Sequence, residues 1–133
     1  MVYTTQSPQE TKQLAKQFAK TLRPGDTVAL YGALGSGKTT FIQGLAKPLG
    51  VNATVNSPTF VMVKPYGILV HADLYRVKSL EDLETTGLDD FLGSPAHIVV
   101  VEWPQLLENK LPPNAKRINF EFVNETTRKI TID

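Results

Sequence analysis

The sequence predicts a three-layer α/β domain: a mixed, mostly parallel sheet with helices on both faces and a C-terminal antiparallel hairpin. Three observations predict it. Residues 27–50 read as strand, glycine-rich loop and helix, in that order. Ile98-Val99-Val100-Val101 is the most hydrophobic short run in the chain, and four consecutive branched apolar residues suit a strand covered on both faces, as in a parallel sheet interior. Ile118, Phe120 and Phe122 alternate with Asn119 and Glu121, a turn follows at Asn124-Glu125-Thr126-Thr127, and Ile130 and Ile132 alternate again.

The elements follow in chain order. Ser7-Pro8-Gln9-Glu10 starts a helix, with Ser7 as N-cap, Pro8 in the first helical position and Glu10 closing a capping box. Leu14, Ala15, Phe18, Ala19 and Leu22 form its apolar stripe, and Pro24-Gly25 ends it. The turn Pro24-Gly25-Asp26 leads into a short β-favouring run, Thr27 to Tyr31. A second helix spans Thr39 to Leu49, because Phe41, Ile42, Leu45, Ala46 and Leu49 share a face, and Gly50 stops it. A polar connection, Val51 to Ser57, precedes a strand from Phe60 to Lys64, a turn at Pro65-Tyr66-Gly67 and a strand from Ile68 to Ala72. Ser79 caps a short helix through Glu84, Gly87 ends it, and Leu88 to Leu92 forms another helical turn.

Between the Thr27–Tyr31 run and the second helix, Gly32-Ala33-Leu34-Gly35-Ser36-Gly37-Lys38-Thr39 meets every fixed position of the pattern G-x-x-x-x-G-K-[ST]. Glycine-rich backbone wraps a polyphosphate when its N–H groups converge on the anion. The helix that follows points its positive N-terminal end at the same place. Lys38 then reaches the outer phosphates, and the Thr39 hydroxyl is placed to hold Mg²⁺. This is a nucleotide site, and it makes the predicted fold that of a P-loop NTPase.

The bulk properties exclude several classes. The 133 residues suit one domain, 1–133, with an ordinary core. A formal net charge of +1 gives no strong pull toward nucleic acid, and the face shared by Lys12, Lys16 and Lys20 reads as a solvated surface. With no cysteine there is neither a disulfide nor a thiolate metal site, and two histidines, His71 and His97, do not build a usual zinc site. No apolar stretch is long enough for a membrane span and Met1-Val2-Tyr3-Thr4 does not begin a signal peptide, so the expected location is cytoplasmic.

A phosphate loop needs an acid on a neighbouring strand to hold the metal shell or position the attacking water. Asp73 and Glu102 each follow an apolar strand at its C-terminal end, where α/β sheets bind ligands. The residues alone do not rank the two. Asn56-Ser57-Pro58-Thr59-Phe60 reads as a plain turn or, near a nucleotide, as a segment sensing the γ-phosphate. Trp103 packs over the site or fills core, with core the ordinary outcome for a lone tryptophan. His71 reads as a strand residue with a local partner.

Taken together, Gly32 to Thr40, Ser57-Pro58-Thr59-Phe60, His71-Ala72-Asp73-Leu74-Tyr75-Arg76 and Val101-Glu102-Trp103-Pro104 closely resemble the TsaE family, formerly known as YjeE. The resemblance covers nearly the whole chain in the right order. It implies a small bacterial ATPase required for threonylcarbamoylation of adenosine in tRNA. It also implies that the loop, Gly32, Leu34, Gly35, Ser36, Gly37, Lys38, Thr39 and Thr40, binds ATP. Thr39 and Glu102 would hold Mg²⁺, and Asp73 would be needed for ATP turnover beside Lys38 and Glu102. Thr11 and Arg128 would lie near the nucleotide. The implied partners are a TsaD-like transferase, on which threonylcarbamoyl transfer takes place, and a TsaB-like protein, with tRNA met through the complex. The chain departs from the family's Gly-Asp-Leu-Gly at Ala33, a carboxylate that a backbone cradle does not need.

Two alternatives share the phosphate loop. A small-molecule kinase would need an arginine-rich lid, whereas Arg23, Arg76, Arg117 and Arg128 are scattered. A switch that binds without hydrolysing would release no ADP. A GTPase is disfavoured because the chain has no N-K-x-D guanine reader.

Overall fold

A computed structural model of the chain describes residues 1–55 and 62–133. Among these, β1 (Val2–Thr5), β2 (Thr27–Tyr31), β3 (Val63–Tyr66), β4 (Leu69–Asp73), β5 (Ile98–Glu102), β6 (Lys116–Phe122) and β7 (Arg128–Ile132) form one sheet in the order β1-β7-β6-β2-β5-β4-β3. The central four, β6, β2, β5 and β4, are parallel; β3 on one side and β7 on the other run antiparallel to them, and β1, antiparallel to β7, again runs in the central direction. Helices α1 (Pro8–Ala19) and α2 (Lys38–Ala46) cover one face. The short α3 (Leu80–Glu84) and 3₁₀ turns at Leu88–Asp90 and Pro104–Leu107 cover part of the other. The layers and the central parallel strands are those expected.

Every residue of β5 is buried, because the strand has a parallel neighbour on each side and a packed layer on each face. Ile98 and Val100 meet Leu30, Ile42 and Leu45 beneath α1 and α2. Val99 and Val101 meet Leu83, Leu88 and Leu107 on the opposite side. The α1–α2 layer is bound to the sheet by an aromatic chain: Phe18 to Phe41 at 5.8 Å and Phe41 to Phe120 at 5.4 Å between ring centroids. That geometry adds about 0.5–1.5 kcal/mol per pair beyond area burial.

Several expectations shift in detail. The hairpin turn is formed by Gly67 and Ile68, not Pro65-Tyr66-Gly67: Pro65 pairs with Val70 on the edge strand β3, where a missing N–H costs no ladder bond. Helix α2 stops at Ala46 rather than Leu49, since Pro48 has no N–H for a continuing bond. Ser7 accepts from the Glu10 N–H as expected, but Glu10 reaches back to the N–H of Gln6, one residue beyond a standard capping box. Strand β1 is an addition to the expected elements. The segment Asn56 to Phe60, including the start of the expected Phe60–Lys64 strand, lies outside the described residues.

Gly44 is where α1 and α2 touch. A Cβ there would stand 2.8 Å from Ala15 Cβ, Lys12 Cα and the Lys12 carbonyl oxygen. Helix propensity favours alanine by about 1 kcal/mol, but overpacking against backbone costs about 1–3 kcal/mol. Gly44→Ala is therefore expected to lower Tm by several degrees in thermal denaturation; an unchanged or higher Tm would show that the helices part freely.

Candidate active site

The site is built where β2 ends and α2 begins. Gly37 caps α2 with φ 103° and offers no side chain to the helix's first N–H groups, leaving that terminus open to an anion. Gly32 has φ 147°, and a Cβ on it would stand 2.7 Å from the Phe120 carbonyl oxygen and 2.8 Å from Ser36 Oγ. The loop thus closes against β6 in a form only glycine accepts. Ser36 Oγ is buried and has no hydrogen-bond partner among the described residues.

Lys38 lies within this frame. Its Nζ donates to the Gly32 carbonyl at 2.6 Å and stands 3.9 Å from the Trp103 ring centroid. Burial pushes its pKa down, against the opposing pull of Glu102 and Asp73. Those two carboxylates are register partners on β4 and β5. By the two-residue alternation of a strand, they share the sheet face of Leu69 and Val100, the one α2 packs on. A cavity of about 220 Å³ lies between them and the loop, lined also by Leu34, Gly35, Gly37, Lys38, Thr39, Thr40, Trp103 and Arg128.

The two acids differ in setting, which the residues alone did not reveal. Glu102 is buried, with Oε2 held 2.7 Å from His71 Nε2. Asp73 is half-buried at the cavity, with Oδ1 accepting the Tyr75 N–H at 3.0 Å. Burial raises the Asp73 pKa, the Tyr75 bond opposes that rise, and the Glu102 charge adds to it. A carboxyl with a higher pKa folded than unfolded contributes stability that is full below its unfolded pKa and lost as pH rises through the folded one. Asp73→Asn keeps the acceptor for Tyr75 and removes the buried charge. It is expected to raise the Tm of the nucleotide-free protein at neutral pH, with the gain disappearing on acidification; a Tm below wild type at neutral pH would contradict this.

Trp103 is the residue that sequence reasoning placed least well. It packs beside the core around Leu107 but also covers Lys38, and its ring lies 4.9 Å from that of Tyr75. Its φ of 56° is left-handed, the one such value at a non-glycine among the described residues. Strain of that kind costs on the order of 1–3 kcal/mol and concentrates at functional sites.

The oxygen donors present suit a hard cation shared with phosphate. The described residues contain no cluster of three or more His, Asp or Glu able to hold a metal alone. Thr39 and Glu102 at one cavity, beside an open helix N-terminus, match the usual Mg²⁺ arrangement of one or two protein oxygens completed by phosphates and water.

The chain matches the family described as threonylcarbamoyl adenosine biosynthesis protein TsaE over residues 5–130. It belongs to the TsaE family. It is 40% identical over 133 residues to the tRNA threonylcarbamoyladenosine biosynthesis protein TsaE of Bacillus subtilis (strain 168), an alignment covering 97% of this chain and 82% of that protein. The TsaE protein of Aquifex aeolicus (strain VF5) is 36% identical, with 96% and 91% covered. The crystal structure of Bacillus subtilis YdiB superposes with a TM-score of 0.78 at 34% identity, covering 99% of this chain and 83% of that one.

The remaining residues singled out by the TsaE resemblance fall as follows. Thr11 is buried, shares a 2.7 Å hydroxyl contact with Thr5, and lines a smaller adjoining cleft with Gly37, Thr40 and Arg128. Arg128 borders both spaces, its Nη1 donating to the carbonyls of Asn124 and Thr127 at 2.6 and 3.1 Å. Arg76 is exposed on the segment after β4 and does not line the cavity. Ala33 is exposed, so the cradle is built without the missing TsaE carboxylate. Among the described residues no helix is long and apolar enough to cross a membrane.

Proposed function

We propose that this chain is a Mg²⁺-dependent ATPase of tRNA N6-threonylcarbamoyladenosine formation, slow alone and activated by a TsaD-like transferase and a TsaB-like protein. One observation carries the reading: Lys38, Asp73 and Glu102 border a single cavity at the uncapped N-terminus of α2. Loop amides and Lys38 bind the β- and γ-phosphates, and Thr11, Thr40 and Arg128 line the adjoining cleft. Thr39 and Glu102 would hold Mg²⁺, which would supply charge neutralisation on the transferring phosphoryl group. Asp73 takes the water: its oxygen not engaged by Tyr75 accepts a proton as the water oxygen bonds to the γ-phosphorus. The bond from that phosphorus to the β–γ bridging oxygen breaks, and ADP leaves with the electron pair.

The arginine in the cavity is tied to two carbonyls of its own hairpin, which supports activation from outside rather than an arginine supplied within the chain. An absent finger costs about 10³–10⁵ in rate. ATP hydrolysis is therefore expected to rise at least about 100-fold when the TsaD–TsaB pair is added, with Glu102→Ala inactive in both states. Equal rates with and without the pair would refute activation, and phosphate appearing on a small-molecule acceptor would favour a kinase.

A further inference from the structure

We infer that His71 is a positioning residue for Glu102, fixing one carboxylate oxygen so that the other is presented to the cavity. The inference rests on the proposed role of Glu102 in holding Mg²⁺. His71 is fully buried on β4, two residues before Asp73 and on the same sheet face. Its Nε2 lies 2.7 Å from Glu102 Oε2, and its Nδ1 is buried without a hydrogen-bond partner among the described residues. Facing an ionised carboxylate, which only accepts, Nε2 is the donor of this contact.

A role in packing alone does not account for the imidazole. Leu69 fills the equivalent inward position two residues earlier at no polar cost, whereas an unpaired buried polar group costs about 1–3 kcal/mol. What the ring adds is direction. A glutamate side chain has three rotatable bonds, and an anchor for a hard cation with strict octahedral demands must hold its oxygen in one place. A rigid N–H donor behind the carboxylate removes that freedom before ligand arrives. Outer-shell partners of this kind typically set metal affinity by 10–100-fold.

The test uses the full chain, with the fluorescence of its single tryptophan, Trp103, which lies against Lys38, as the readout. ADP is titrated in EDTA, and Mg²⁺ is then titrated at saturating ADP. His71→Leu is expected to raise the half-saturating Mg²⁺ concentration about 10–100-fold while metal-free ADP affinity stays within about twofold. His71→Gln, whose amide N–H reaches the same oxygen, is expected to restore the Mg²⁺ midpoint to within about fivefold of wild type. Should His71→Leu not fold, His71→Asn against His71→Gln decides: the shorter amide cannot reach Glu102 and must lose the Mg²⁺ response. A wild-type midpoint in His71→Leu or His71→Asn, or equal loss of ADP binding with and without metal, overturns the inference alone. A wild-type protein whose ADP binding ignores Mg²⁺ overturns the proposed role of Glu102 as well.

Discussion

Asp73→Asn is expected to lower ATP turnover about 10²–10⁴-fold, the usual range for removing a positioned acid or base, with ADP affinity nearly unchanged. The substitution keeps the size of the side chain and its bond to the Tyr75 N–H, so only charge and basicity are lost. Glu102 and Thr39 are untouched, which leaves the proposed metal anchors in place. Burial already disfavours the ionised form of Asp73, so wild type carries an electrostatic cost in its resting site. The same variant should therefore be more stable at neutral pH and far less active, a combination that unfolding cannot produce. Steady-state ATP hydrolysis in the presence of the partner pair and Trp103 fluorescence with ADP are the two measurements. Turnover within tenfold of wild type would remove Asp73 from the chemistry and leave Glu102 to carry it.

The fold was legible wherever a residue pattern is settled by its immediate neighbours. The run at Ile98 needs burial on both faces to be tolerable in water, and only a central strand provides that. The α1 start is written in Ser7 and Pro8, whose effects reach no further than one helical turn. Strand β1 is the opposite case. Val2 to Thr5 is four residues long, and its stabilising contacts come from β7 at the other end of the chain, such as Tyr3 opposite Ile130. Its residues favour β structure, but so short a run does not establish a strand without its partner. Pro65 misled for a related reason: proline signals a turn in isolation, but an edge strand with an unneeded N–H accepts it equally well.

The site divides along the same line. The phosphate loop is contiguous, so its residues could be named directly, and Asp73 and Glu102 follow from their place at strand ends. What separates the two acids is a contact between residues 31 positions apart, His71 with Glu102, which no local pattern announces. The place of Trp103 depends on one left-handed backbone angle that swings its ring over Lys38. Arg128 enters because the closing hairpin lies against Gly37, with Arg128 Cγ 3.6 Å from where a Cβ would be. Each of these features belongs to the packing of distant elements around the loop. The TsaE resemblance supplied roles for several of these residues, but the geometry that gives each role a physical basis comes from the assembled sheet.

Gly32→Ala is expected to reduce nucleotide affinity at least about 30-fold, because the loop cannot keep its cradle form with a side chain there. Left-handed backbone strain at a non-glycine costs about 1–2 kcal/mol, and forced contacts cost about 1–3 kcal/mol more. At 1.4 kcal/mol per tenfold in affinity, the middle of that range already exceeds the stated loss. The clash at 2.7 Å is with the carbonyl of Phe120, on the strand beside β2, and cannot be relieved by a side-chain rotation. Opening the β2–β6 ladder would disturb the buried core at Leu30 and Ile118, whereas the Ala33 to Gly35 stretch of the loop is exposed. The loop should therefore yield first, and the cost should fall on binding more than on folding. Gly25→Ala separates the two effects: Gly25 has φ 101°, but a Cβ there would meet no atom within 4 Å, so the substitution should lower Tm and leave ADP affinity unchanged. If Gly32→Ala binds ADP within threefold of wild type while Gly25→Ala behaves as stated, the phosphates are not gripped by a glycine-shaped cradle at this bend.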